Sequence, residues 1–339
     1  MKPLTKIGFV IVYLVHSRTG GVKMGLEKYV VVIGGLNMDI AGISGPVYHE
    51  RDSNIGKVFL SPGGVGRNIA HNLVNLEVPT YLITAYGDDD FGLLLEKSCN
   101  ELNIKLDYAE KLDHANSSTY LYVTDDEGDM VTGVNDMGIV DCITPAFLQD
   151  KLDMINEAEV VVFDANLSKE TLEWLGDNVT APIFVDPVSV SKADRVQKIL
   201  DKIDTIKPNE HEIELYTGVK VVDLEKAKEA ACKLIDLGPE HVYLSLGSKG
   251  MVVADKTQKP TFVPVIPTEV VSANGAGDCS MATLVWARFH YGNILSVEEV
   301  SQLAQAASSI TLQTEGSVSD ELSIRSVVRH AQSYETISY

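Results

Sequence analysis

Short β-branched runs alternating with amphipathic stretches of helical period constrain this chain more than any other feature. Tyr29-Val30-Val31-Val32-Ile33 stops at Gly34-Gly35, the pattern of a strand buried on both faces. After Gly63-Gly64, the residues Val65, Ile69, Leu73 and Leu76 recur at helical spacing until Pro79 bars continuation. Residues 80–84, 160–163, 183–185, 204–206 and 242–245 repeat the strand pattern, and helices are expected over 91–102, 223–237 and 279–290. Such alternation implies right-handed crossovers and a mostly parallel sheet covered by helices on both faces.

Two segments break the rhythm. Residues 40–60 and 118–135 are strand-like and polar, without accompanying helices, and the second has the form of a hairpin around Asp125-Asp126-Glu127-Gly128-Asp129. Together they predict a small β-sheet projecting from the α/β core as a lid. Its exposed edge offers a route to a homodimer.

The 339 residues carry 28 Lys plus Arg against 48 Asp plus Glu, a net charge of -20. That balance argues against nucleic acid or an anionic membrane as partner, since both need a basic face. An anionic small molecule remains open, because a few backbone amides hold phosphate without net positive charge. Cys99, Cys142, Cys232 and Cys279 are too scattered for a metal knuckle or a disulfide framework, which predicts reduced thiols and a cytoplasmic setting. The apolar run at residues 7–15 imitates an export signal but lacks a cleavage site and is too short to span a bilayer. Residues 1–25 are therefore expected to be a leader or upstream extension with Met24 as the working start. Residues 26–332 are expected to form one domain, with 333–339 a tail.

The sharpest chemical signal is Ser272-Ala273-Asn274-Gly275-Ala276-Gly277-Asp278 ahead of a helix. Glycines at a helix start let successive amides converge on an anion, helped by the helix dipole. A carboxylate there would repel phosphate, but it makes sense if Asp278 takes a proton from an attacking hydroxyl. Taken alone, a Gly-rich turn with a dipole-favoured carboxylate explains the heptapeptide equally well.

Other motifs add weight. Ser61-Pro62-Gly63-Gly64-Val65-Gly66-Arg67-Asn68 again puts glycines at a helix start, and Asn37-Met38-Asp39 ends the first predicted strand, where open α/β sheets bind ligands. Lys207-Pro208-Asn209-Glu210-His211-Glu212 places Asn209 and Glu212 three apart, facing a metal-bound phosphate or forming a capping box. Ser245-Leu246-Gly247-Ser248-Lys249-Gly250 supplies a loop at a strand end, otherwise a plain hairpin turn. No dinucleotide fingerprint or Walker loop exists, which disfavours a dehydrogenase.

The joint order of these motifs resembles the ribokinase-like carbohydrate kinase family from about Tyr29 to His330. The resemblance implies a ribokinase-like α/β fold: a mostly parallel central sheet with helices on both faces, plus a small β-sheet lid. It implies Asp278 as catalytic base and Gly275, Ala276 and Gly277 as the anion hole. Lys207, Asn209, Ser245, Gly247 and Gly250 would lie on the ATP side, with Glu212 organising Mg²⁺. Asn37, Asp39, Gly63, Gly64 and Asn68 would hold the hydroxyls of the phosphate acceptor. Asn116-Ser117-Ser118-Thr119-Tyr120-Leu121, Asn135-Asp136-Met137 and Val185-Asp186-Pro187-Val188-Ser189 resemble members acting on a free nucleoside. The implied reaction is ATP-dependent phosphorylation of a nucleoside 5′-hydroxyl, pseudouridine foremost, with Ser118, Thr119, Asn135, Asp136 and Asn166 as candidates for reading the base. Ribose, fructose or another nucleoside are alternative acceptors, and a nucleotide- or sugar-binding protein without turnover is the rival outside catalysis. Many members place an Asp six residues before the base and a Thr four before it. Ser272 and Asn274 stand there instead, which speaks against K⁺ activation.

Overall fold

The computed structural model describes residues 28–127 and 129–332; the expectations for a leader at 1–25 and a tail at 333–339 lie outside the described residues. The main sheet has eight strands in the order Thr261–Pro264, Gly250–Asp255, His241–Ser245, Thr205–Ile206, Ile183–Asp186, Val160–Asp164, Val30–Ile33 and Thr80–Ile83. From His241–Ser245 to Thr80–Ile83 all neighbours are parallel, and the two strands at the other edge are antiparallel.

The strand Val30–Ile33 shows how the layers are sorted. Val30 and Val32 pack with Ile69, Leu73 and Trp286 on one face. Val31 and Ile33 pack with Leu172, Ile213 and Leu234 on the other. Both faces are covered, so the apolar run needs no polar alternation. Each such side chain contributes about 1.5–3 kcal/mol by burial.

Helix boundaries follow local chemistry. Helix Val65–Asn75 ends before Pro79, and helix Leu224–Asp236 is capped by Asp223, whose carboxylate accepts from the Lys226 amide at 2.8 Å. Helix Ala276–Tyr291 starts three residues earlier than the apolar pattern predicts, because Ala276-Gly277-Asp278 is its first turn.

The projecting sheet has the strand order Gly56–Gly63, Asn37–Ser44, Thr119–Thr124, Met130–Asp136. Here the sequence reading needs a correction. Asn37-Met38-Asp39 does not end the central strand but opens a lid strand, because Gly34-Gly35 breaks the chain and the Met38 amide donates to the Ser118 carbonyl at 2.9 Å. Register pairs Asp39 with Ser61 and Tyr120, and Tyr120 with Asn135. These share one face. The opposite face carries Val58, Leu60 and Val134, which are 72%, 54% and 61% exposed, so the back of the lid is apolar and bare.

Candidate active site

Helix Ala276–Tyr291 begins after Gly275, whose φ of 75° lies in the left-handed region; a side chain there would also run into the Ser317 carbonyl. The first-turn amides of residues 276–278 have no intrahelical acceptors, and they stand at the wall of a cavity of about 690 Å³. Of the residues expected to hold an anion, Ala276 and Gly277 thus face this cavity, while Gly275 lines the second one.

Asp278 lies half-buried in the same wall, and its Oδ2 accepts from Asn68 Nδ2 at 2.9 Å. Lys207 Nζ pairs with Asp186 Oδ2 at 3.2 Å, both side chains being less than a tenth exposed. The ammonium passes beside Gly277, 3.5 Å from where a β-carbon would sit. Burial, reinforced by Asp186, pushes the Asp278 carboxyl up to about 7, while Asn68 and Lys207 pull the other way. Burial would lower Lys207, but Asp186, Glu212 and Asp278 together hold it above the usual lysine value. A carboxylate titrating near neutrality beside a fixed cation and an anion nest has the properties of a general base for phosphoryl transfer.

Farther along the cavity, Asn209 and Glu212 form the capping box. Asn209 Oδ1 accepts from the His211 and Glu212 amides at 2.9 Å each, and Glu212 Oε2 accepts from the Asn209 amide at 2.9 Å. Both also line the cavity, so the capping box is the reading observed and their position leaves the phosphate-facing one open. Burial raises Glu212 above the usual carboxylate value. Ser245, which bridges to Asn209, lines the cavity beside the capping box, with Gly247 and Gly250 from the turn between strands His241–Ser245 and Gly250–Asp255. Val265, Ile266 and Leu312 supply an apolar wall that the motifs do not announce. Among the described residues no group of three or more metal-ligating side chains converges. A divalent ion beside Glu212 would take its remaining ligands from phosphate and water, as Mg²⁺ commonly does.

A second cavity of about 580 Å³ opens on the lid side, lined by Asn37, Asp39, Gly64, Asn68, Asn135 and Asn166, with Gly275 at its edge. Asp39 crosses Gly63 so closely that any side chain at 63 would strike its carboxylate, and Asn37 Nδ2 donates to Asp39 Oδ1 at 2.5 Å. Burial raises Asp39, opposed by Asn37 and Arg67. Asn166 Oδ1 accepts from Lys192 Nζ at 2.6 Å, while the fully buried Asp164 accepts from the Gly35 and Asn166 amides at 2.7 and 2.9 Å.

Four predicted site residues stand outside both cavity linings, the first being Gly63, buried against the Asp39 carboxylate. Thr119 and Asp136 pair with each other on the outward face of the lid, because side chains alternate along a strand and Asn135 points inward. Ser118 is buried outside the cavity lining, and its Oγ has no hydrogen-bond partner. In exchange, Tyr120, Tyr122 and Lys192 line the smaller cavity, and Asp186 the larger one. Asp186 falls in a motif stretch, and strand alternation could have found the tyrosines. Lys192 sits in helix Val190–Ala193, too short for its period to show.

A mixed α/β sheet with a projecting small sheet, and a carboxylate between two cavities, fit a phosphotransferase acting on an alcohol acceptor. The match of residues 27–324 to the pfkB family carbohydrate kinase model makes the assignment specific, and the chain belongs to that family. It is 35% identical to the pseudouridine kinase of Escherichia coli strain K12 over 315 residues, covering 92% of this chain and 99% of that one. It is 26% identical to the guanosine-inosine kinase of Exiguobacterium acetylicum, over 74% of this chain and 84% of the relative. The structure of Arabidopsis thaliana ribokinase complexed with ribose and ATP superposes with a TM-score of 0.78 at 24% identity, covering 91% and 99% of the two chains, a likeness of fold.

Proposed function

We propose that this chain transfers the γ-phosphoryl group of ATP to the 5′-hydroxyl of a free nucleoside, with pseudouridine as acceptor, in the cytoplasm. The observation that carries the reading is the position of Asp278. Its carboxyl stands in the wall of the larger cavity while its hydrogen-bond partner Asn68 lines the smaller one. Asp278 takes the proton from the acceptor hydroxyl as that oxygen attacks phosphorus. The amides at 275–277 and Lys207 offset the charge developing on the transferred group. The apolar wall of Val265, Ile266 and Leu312 suits a purine base, and Asn209, Ser245, Gly247 and Gly250 frame the rest of the nucleotide. Mg²⁺, when bound beside Glu212, would neutralise charge on the phosphates.

On the acceptor side, Asn37, Asp39, Gly63, Gly64 and Asn68 hold the sugar, and Asn135 and Asn166 read the base. Tyr120 and Tyr122, with ring centroids 5.4 Å apart, give the cavity an aromatic wall on which a planar base can stack. That wall and the likeness to a pseudouridine kinase support a nucleoside over ribose or fructose. The bare apolar back of the lid supports pairing of two copies there, while the acidic charge speaks against nucleic acid. Nucleosides and sugars offered in turn with ATP and Mg²⁺, read by ADP release, test the reading. Pseudouridine should give the fastest release, and no acceptor-dependent release from any of them would end it.

A further inference from the structure

Val188 and Val65 line both cavities, and Val188 does so at a cost in backbone strain. Its φ is 65°, where a β-branched residue is a true outlier. The Ser189 amide donates to the Pro187 carbonyl at 2.7 Å, closing a three-residue turn around Val188 of the rarer, strained hand. The Val188 amide donates to Asp186 Oδ1 at 2.9 Å, while Asp186 Oδ2 holds Lys207. On the nucleotide side the chain thus delivers Asp186, and immediately past the turn Ser189, Ser191 and Lys192 line the acceptor side. The half-buried Val188 side chain packs against the core at the crossing. Glycine would accept this backbone without strain, whereas such conformations persist where the surroundings over-determine them.

We propose that Val188 is a wedge, a positioning residue that fills the junction of the two cavities so that a bound acceptor hydroxyl, and not free water, reaches the transferred phosphorus. The inference rests on the kinase reading above. Without the wedge, a water entering from the acceptor side would reach the γ-phosphorus. Its oxygen would bond to phosphorus, the bond from phosphorus to the departing ADP oxygen would break, and Asp278 would take the proton. The products would be ADP and inorganic phosphate in place of the phosphorylated acceptor.

The test measures inorganic phosphate and phosphorylated pseudouridine side by side, with ATP and Mg²⁺, for the intact chain and for Val188→Gly and Val188→Ala. The ratio of phosphate to phosphorylated product should rise several-fold in both variants, more in Val188→Gly, and Val188→Ile should restore it. The melting temperature of Val188→Gly should not fall, since the strain is relieved. A residue of merely structural importance would lower both products together and leave the ratio alone. An unchanged ratio in both truncations, with the intact chain transferring normally, overturns the wedge alone. Failure of the intact chain to phosphorylate any alcohol acceptor overturns the kinase reading and the wedge with it.

Discussion

On the nucleotide side, the cavity wall consists of strand ends and helix starts from a sheet buried on both faces, and its central charges are locked. Lys207 and Asp186 are nearly inaccessible and bonded to each other. On the acceptor side, much of the wall is a four-stranded sheet with an exposed back, and the polar groups are short amides and half-buried ions such as Asp39 and Lys192. A locked wall fixes the electrostatics of a reaction, whereas an open one chooses what enters. Substitutions in the first wall should therefore change the rate and pH dependence of turnover, and differences on the second should change which acceptor is used.

The largest effect should come from Asp278→Asn. Loss of a general base lowers kcat by about 10²–10⁴-fold, with KM for ATP little changed. In the unaltered enzyme, activity should rise with pH through about 7, because the base works only when ionised. The stability sign is opposite. A carboxyl whose folded pKa lies above its unfolded value penalises the folded state increasingly as pH rises from the unfolded pKa to the folded one, and fully above both. Asp278→Asn should thus be more stable at pH 8, by roughly 1–3 kcal/mol after allowance for its solvent-facing side, and the gain should shrink towards pH 4. Thermal melts at the two pH values check this. A variant less stable at pH 8 would mean that the carboxylate is held favourably and is not poised as a base.

Selectivity puts the acceptor wall to the test. Pseudouridine carries an N1–H that uridine lacks, so an acceptor group aimed at it goes unpaired when uridine binds. The amide oxygens of Asn135 and Asn166 are the candidates, the second already oriented by Lys192. Competition between the two nucleosides at low concentration should favour pseudouridine by at least about 10²-fold in kcat/KM, roughly 2.7 kcal/mol. Equal use would remove base recognition from this wall and leave the chemistry of the other untouched.

Asn68 belongs to both sides, and its effect should be smaller. Its side chain holds the Asp278 carboxylate at 2.9 Å, and that hydrogen bond lowers the carboxyl pKa. Asn68→Leu should move the rising limb of the pH–rate profile to higher pH, whereas loss of an acceptor contact alone would raise KM and leave the limb in place. The split between KM and the limb decides which role dominates.

The same contrast explains what could be read from the chain alone. Helical and strand periods at Val30–Ile33 and Val65–Asn75 announced the buried sheet, because burial on both faces leaves no polar interruption. The turn into helix Ala276–Tyr291 was legible because Gly275 takes a left-handed backbone that favours glycine. The lid was legible as strands but not as faces. Asn135 and Asp136 look alike in sequence, and only the pairing with Thr119 and Tyr120 shows which one turns inward. Lys207–Asp186 and Lys192–Asn166 join residues 21 and 26 apart through crossover connections, which no local pattern reports.

The smallest effect concerns the loop that joins the two walls. Ser272 and Asn274 precede the nest, at positions six and four before Asp278. Neither carries the charge that would hold a monovalent cation firmly, and the Ser272 hydroxyl is occupied by the Asn274 amide at 3.2 Å. Asn274 lines the smaller cavity, so this loop opens towards it. Replacing K⁺ by a bulky organic cation at constant ionic strength should therefore change kcat by less than about twofold, an energy below that of one ordinary hydrogen bond. Loss of activity in the organic cation would mean that backbone carbonyls of this loop hold an ion without a carboxylate, and the nest would then depend on the loop and not on the helix alone.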